Sequence, residues 1–415
     1  MQSNSKLAKW LVVAGSTFAL VVGNGAILLF TFGVFLKPIT EQMGWPRGTA
    51  SLGVTIGFTL GGLATPLVGQ LIDKWGVQKI TLVAITVFAA SVAALSLSNS
   101  VAAFVTLYAV AGLLSSGHAP LPYAKAITAW FDARRGLALG IAMSGVGIGA
   151  ALIPQVADLL VKTLGWREAY VVLGILTWLV AFPLVLFFVK EPPHSRTQVN
   201  VRLSPAIGDD IGVALRKKEF WLIAIAILFV VTAVNGMIAH LVALLTDRGM
   251  PHEVATRMLI AVGLSTILGR LVAGYLLDRV FAPYLAAVIF LVPLLGVLAL
   301  WVGAAAPAFA LVVAISLGFS LGAEVDVIGY LVGRYFGLRR YGQIYGYMFA
   351  VFTIGTGAGP FLMGLSFDAT HSYAAALGLF SGMLIVSSVM ISLLDSYRYP
   401  ERGAEAAKPL VPEAA

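Results

Sequence analysis

Four charged side chains stand inside long apolar runs of this sequence, well away from the loops: Lys125, Arg270, Glu324 and Asp326. Charged groups at bilayer depth are rare and face a cavity or a partner. Arg270 carries the most specific chemistry. Its guanidinium stays ionised and takes a carboxylate through two parallel hydrogen bonds. It stands eight residues before Asp278, about 12 Å along a helix from that end of its run. Glu324 and Asp326 lie at similar depth in a later run. Two residues apart, they point about 200° from each other around a helix, so both cannot face one cavity squarely. Asp326 shares its stripe with Tyr330 and Arg334, while Glu324 faces the other way. A carboxyl group in a low dielectric can carry a proton near neutral pH, and arginine cannot. These residues suit an anion site at Arg270 and, if the protein moves protons, a proton carried on Glu324 or Asp326, with His240 in reserve. A lasting ion pair of Arg270 with Glu324 or Asp326 accounts for the same residues, and the two arrangements can alternate. Lys125, six residues before Phe131, is expected to snorkel to the nearer surface. Asp158, four residues before Lys162, is explained by an ordinary helical ion pair.

The elements that position these groups are set by composition. The chain has 415 residues, 59% hydrophobic and 11% charged, with a mean hydropathy of +0.94. A soluble domain carries about a quarter charged residues, so the solvent of this chain is the bilayer. Cysteine is absent, which excludes disulfides and thiolate metal sites. The net charge of +8 gathers in short loops and does not suggest nucleic acid. Runs of spanning length fall at about 10–36, 47–72, 79–98, 101–130, 136–161 and 167–189, then at 220–245, 252–277, 284–303, 307–334, 342–365 and 373–394. The first follows Lys6 and Lys9 but is longer than the apolar part of a signal peptide, so it reads as a retained span. Residues 1–189 form one six-span half and 220–400 a second. The polar stretch 190–219, with Pro192, Pro193 and Pro205, is a linker, and Asp209 to Lys218 is expected as an amphipathic surface helix. Residues 401–415 read as a disordered tail. With both termini on one side, that side holds 19 of the 27 Lys and Arg residues, the other holds six, and Lys125 and Arg270 lie within spans. The bias predicts cytoplasmic termini.

The two halves repeat each other. Gly44, Pro46, Gly69 and Asp73 recur 205 residues later as Gly249, Pro251, Gly274 and Asp278, and Phe131, Arg134 and Arg135 recur as Phe336, Arg339 and Arg340. Repetition at half length in an apolar chain marks transporters whose halves rock about a shared site. The repeated loops read GQLIDKWGVQK from Gly69 and GYLLDRV from Gly274. A glycine four residues before an acid shares its helix face and allows close approach. Asp73 and Asp278, beside Lys74 and Arg279, could then accept hydrogen bonds from a helix start in the other half and gate the passage. Plain loop solubility is the alternative for one copy; two copies in register favour the gate. Glycines and prolines within spans, such as Gly145, Gly149 and Pro154 or Gly355, Gly359 and Pro360, fit close helix packing.

The pattern G-x-x-x-D-R/K-x-G after span 2, with a degenerate copy after span 8, resembles the signature loop of the major facilitator superfamily. WFDARRGLALGIAMSGVGIG from Trp130, GWREAY from Gly165, RYFGLRRYGQIYG from Arg334 and the series Arg270, Gly274, Asp278 resemble the monocarboxylate transporter family, bacterial branch. The resemblance implies an all-α membrane protein with 12 transmembrane helices in two pseudo-symmetric six-helix bundles, in the bacterial inner membrane. It implies that Arg270 binds a substrate carboxylate and that spans 1, 4, 7 and 10 line the cavity. Asn24, Leu28, Tyr123, Asn235, His240 and Tyr330 are then the further candidate contacts. Many members have an aspartate where Thr266 stands here, and a lysine in span 1 that Trp10 to Phe35 lacks. Both departures argue against the animal type of proton route.

The function expected is secondary active transport of a small organic anion, a monocarboxylate such as lactate or pyruvate, with a proton, by alternating access. The partners expected are that anion, the proton and the lipid bilayer, with no nucleic acid, in a protein functional as a monomer. An organic-anion exchanger of the oxalate/formate kind and an exporter of amphipathic compounds are the alternatives on the same scaffold. No metal-site spacing, P-loop or nucleophile–base set suggests an enzyme, a cofactor or a metal.

Overall fold

In a bilayer every backbone polar group must be paired within the protein, which leaves this sequence helices as its element. The computed structural model describes residues 2–131, 135–192, 208–277, 279–303, 306–337 and 339–399. Twelve apolar spans cross it: Ala8–Met43, Arg47–Ile72, Val77–Leu97, Val101–Trp130, Gly136–Leu164 and Trp166–Phe187, then Lys218–Asp247, His252–Leu277, Ala282–Trp301, Pro307–Phe336, Tyr341–Thr370 and Ala374–Ser392. They are numbered 1 to 12 below. The side at which span 1 begins and span 12 ends is called the near face, and the opposite side the far face. The expected tail 401–415 and linker residues 193–207 lie outside the described residues.

The sequence repeat is visible as geometry. Gly44 and Gly249, ending spans 1 and 7, both adopt the left-handed conformation, with φ of 67° and 88°. Each has a proline two residues on, which cannot continue a helix and suits the start of the next. Packing repeats as well. Spans 2 and 4, 1 and 5, and 3 and 6 pair in the first half; 8 and 10, 7 and 11, and 9 and 12 pair in the second. The halves meet through spans 2 with 11 and 5 with 8, which the same two-fold relation exchanges. At the second contact, a Cβ on Gly263 would lie 2.4 Å from the carbonyl oxygen of Gly147. Backbone approaches backbone there, as small residues allow in lipid.

Three expectations change. Span 1 runs to Met43 rather than to about 36, and it is interrupted: helix Gln2–Val21 gives way to a π-helical stretch, Gly25–Phe30, before helix Phe32–Met43. The Asn24 side chain accepts from the Gly25 N–H at 2.9 Å, filling part of the break. Span 4 is also broken, into Val101–Ser115, a 3₁₀ turn Ser116–His118, and Pro120–Trp130. Pro120 brings no N–H and forces the preceding residue out of helical conformation. Finally, Asp209 to Lys218 is not one surface helix. Before span 7 begins at Lys218, only Ile211–Ala214 is helical. Asp209 pairs with Lys217 within the segment at 2.5 Å. The segment is fastened to the second half by Asp210, which pairs with Arg339 and Arg340 at 3.1 and 3.3 Å, and by Asp209, which accepts from the Tyr399 hydroxyl at 3.0 Å.

Candidate functional site

The far face is closed by charges that cross between the halves. Arg47, opening span 2, forms an ion pair with Asp247 at the end of span 7. It also donates to the Tyr373 hydroxyl at 2.5 Å, and its guanidinium lies 3.6 Å from the centre of the Phe367 ring. Lys37 joins Asp247 at 2.5 Å. The Asp368 carboxylate of span 11 accepts from the backbone N–H groups of Arg47 and Gly48 at 2.8 and 2.7 Å. These are free donors at a helix start, where a negative charge is favoured. On the other side of the seam, Asp158 reaches across to His252 at 2.6 Å while pairing with Lys162 at 3.0 Å. The expected helical pair is therefore half of an inter-half bridge. Gln155 adds a hydrogen bond to the Thr256 carbonyl at 2.8 Å.

The near face is open along the same seams. A Cβ built on Gly69 of span 2, Gly140 of span 5, Gly274 of span 8 or Gly346 of span 11 would meet no atom within 4 Å. The expected close approach at Gly69 and Gly274 is absent in this conformation. Lys74 lies over the Trp75 ring at 5.4 Å, and Arg279 lies over Tyr275 at 3.7 Å, each on its own segment. Asp278 and the side chain of Asp73 lie outside the described residues. A contact of the same acid–helix kind is made at the far face, by Asp368.

Arg270 sits between these ends. Its Nε is 3.4 Å from Asp326 and 3.4 Å from the carbonyl oxygen of Gly322. Spans 8 and 10 touch there, since a Cβ on Gly322 would lie 3.0 Å from the Arg270 nitrogen. The Arg270 side chain is 15% exposed and that of Asp326 36%. Arg270 opens on a cavity of about 200 Å³ between spans 5 and 8, bounded by Gly140, Met143, Ser144, Thr266 and Ile267. Glu324 behaves differently. It is 1% exposed, accepts from Ser320 at 3.2 Å, and its second oxygen has no hydrogen-bond partner among the described residues. The opposed directions expected for the two acids hold, and the acid beside Arg270 is Asp326.

The other candidates are dispersed. His240 is fully buried within the far-face closure, 2.9 Å from the Pro360 carbonyl oxygen, 3.1 Å from Ser51 and 3.2 Å from Tyr373. Burial pushes the pKa of the Tyr373 hydroxyl up, so it stays neutral between Arg47 and His240. Asn235 is buried and bonds its own helix at Val231. Leu28 is buried in the core. Tyr123 is buried with its hydroxyl 2.7 Å from His118. Tyr330 is half-buried near the near face, its ring centre 6.3 Å from that of Tyr397. In this conformation the side chains of His240, Asn235, Tyr123 and Leu28 are all buried, and the polar contacts of His240, Asn235 and Tyr123 are to protein groups. Asn24 sits at the break in span 1, 3.4 Å from Ser115 at the break in span 4. His118, which sequence reasoning missed, ties the same breaks by its contact of 3.2 Å with the Val22 carbonyl. Gly23, Gly25, Pro120 and Pro122 were the sequence signal for it.

The geometry has counterparts among known proteins. The family model described as Major Facilitator Superfamily matches residues 15–325. YcxA, an uncharacterized MFS-type transporter of Bacillus subtilis (strain 168), is 27% identical over 412 residues, covering 95% of this chain and 97% of that protein. Monocarboxylate transporter 13 of Bos taurus is 29% identical over 395 residues, covering 92% of this chain and 89% of that protein. Among solved structures, a bacterial homolog of the human lysosomal transporter Spinster, inward-facing and occupied, has a TM-score of 0.65 over 93% of each chain at 16% identity, a likeness of fold.

Proposed function

The chain belongs to the Major Facilitator Superfamily, and we propose that this transporter carries a small organic anion, a monocarboxylate, together with a proton. The observation that carries the reading is the partly exposed pair of Arg270 and Asp326 at the edge of the crevice between the halves. A substrate carboxylate and Asp326 compete for one guanidinium. When Asp326 takes a proton, Arg270 is free for the substrate; when both cargoes leave, the pair re-forms. One negative charge and one proton move together, so transport of a monocarboxylate is electroneutral. Glu324, shut away from the crevice, is the weaker candidate for the carrier.

The near face, richer in Lys and Arg, is the cytoplasmic one on this reading, and the conformation is inward-facing in a bacterial inner membrane. Alternating access then breaks the far-face bridges and closes the near face. There Asp73 and Asp278, with Lys74 and Arg279, would meet helix starts of the opposite half, and Gly69 and Gly274 would provide the close approach. Relatives named monocarboxylate transporters support the substrate class.

The test is uptake by proteoliposomes of purified protein. An inwardly directed proton gradient should drive accumulation of a radiolabelled monocarboxylate, and Arg270→Gln should abolish it. Counterflow without any response to the gradient would replace symport by exchange. Undiminished uptake by Arg270→Gln would remove the central element.

A further inference from the structure

Span 11 carries a feature that neither the fold nor the carboxylate site requires. Tyr341, Tyr345, Phe349 and Phe352 form a continuous ladder of near-parallel rings. Successive centroids are 5.8, 6.1 and 5.6 Å apart, with interplanar angles of 14°, 20° and 10°. All four are half-buried. The exposed side of span 11 is marked by Tyr347 and Ile354, 52% and 38% accessible. Each lies two residues from a ladder ring, hence about 200° around the helix. The ladder therefore points away from the lipid side, and the accessibility it keeps is toward the interior crevice.

Its lower rungs adjoin the anion site. The Tyr341 hydroxyl donates to the Gly329 carbonyl at 3.2 Å. A Cβ on Gly329 would stand 3.1 Å from that hydroxyl and 3.7 Å from the Tyr345 ring. Gly329 is one helical turn from Asp326, so the Tyr345 ring stands against the part of span 10 that carries the acid. A guanidinium, its partner acid and an aromatic wall thus converge from spans 8, 10 and 11.

The geometry points to a substrate that carries a planar aromatic ring as well as a carboxylate, the ring docked on the span-11 ladder and the carboxylate on Arg270. This rests on the carboxylate reading above and narrows it. Partly exposed rings in a ladder offer edges and offset faces, the arrangements in which aromatic pairs attract beyond simple burial. A short hydroxy acid would leave that wall wetted and unused. A purely structural ladder would discriminate nothing.

The experiment compares benzoate with cyclohexanecarboxylate, similar in size and charge but not aromatic, by equilibrium binding to the purified full-length protein. Wild type should bind benzoate about five- to tenfold more tightly, the range an aromatic contact supplies. In Phe349→Leu and in Tyr345→Leu that ratio should fall toward one, with continued binding of cyclohexanecarboxylate reporting that the variants fold. Arg270→Gln should lose both ligands. Equal affinities in wild type, with both ligands lost in Arg270→Gln, would overturn the aromatic inference and leave the carboxylate reading standing. Benzoate binding that survives Arg270→Gln, or preference for an aromatic cation such as benzylammonium, would overturn both.

Discussion

Arg270 and Asp326 hold each other at 3.4 Å across spans 8 and 10, so the guanidinium is already engaged in the near-face-open conformation. An arriving anion must displace an acid, and that makes binding sensitive to the protonation of the acid. Lower pH neutralises Asp326 and frees Arg270, so anion affinity in wild type should rise as pH falls. Asp326→Asn removes the competitor permanently. Its affinity at neutral pH should increase about tenfold, the scale of one hydrogen bond to a charged group, and should no longer respond to pH. Titration calorimetry at several pH values reads both effects. Weaker binding by the variant would show that Asp326 holds Arg270 in place rather than competing for it.

Glu324 is 1% exposed and forms no ion pair among the described residues, and a buried carboxylate without a countercharge is costly to keep ionised. Glu324→Gln replaces it with a neutral group of equal size that Ser320 can still reach. Thermal stability of the variant should match or exceed wild type, by up to about 1 kcal/mol. Proton-driven accumulation should survive in Glu324→Gln and fail in Asp326→Asn. The reverse pattern in proteoliposomes would exchange the roles of the two acids.

What could be read from the sequence divides by the range of the interaction. Spans, the repeat and the misplaced charges are local properties, so Arg270, Glu324 and Asp326 stand out without a structure. Their opposed directions follow from helical spacing alone. The break in span 1 was not anticipated, because Gly23-Asn24-Gly25 is tolerated in many straight membrane helices. Asp368 was invisible for another reason. An acid near a span end looks like an interfacial group until the start of span 2, from the other half, is placed against it. The contacts of His240 were hidden on the same ground: its span lines the cavity in the family pattern, and only the packed structure sets it among the far-face bridges with Ser51 and Tyr373.

The far-face closure should yield to single substitutions. Asp368→Ala removes an acid from two helix-start donors, a loss of about 1 kcal/mol, or a roughly fivefold shift toward the far-face-open form. The chain has no cysteine, which makes a single introduced thiol a clean reporter. Thr55, bonded to the Gly357 carbonyl across the seam at 2.7 Å, is a suitable site. Labelling of Thr55→Cys by a membrane-impermeant maleimide should accelerate about fivefold in the Asp368→Ala background. An unchanged rate would mean that Asp368 braces span 2 without controlling opening.

The contact of 2.6 Å between Asp158 and His252 closes the seam between spans 5 and 8 from both halves. Lys162 holds the same carboxylate at 3.0 Å within span 5. His252→Ala removes the partner from the opposite half and leaves Asp158 paired inside its own half, a loss of about 1 kcal/mol, or a roughly fivefold shift toward the far-face-open form. Far-side thiol labelling of Thr55→Cys should accelerate by about that factor in the His252→Ala background. An unchanged rate would make the histidine only one of several contacts closing the seam, with Asp368 and Arg47 sufficient to hold it.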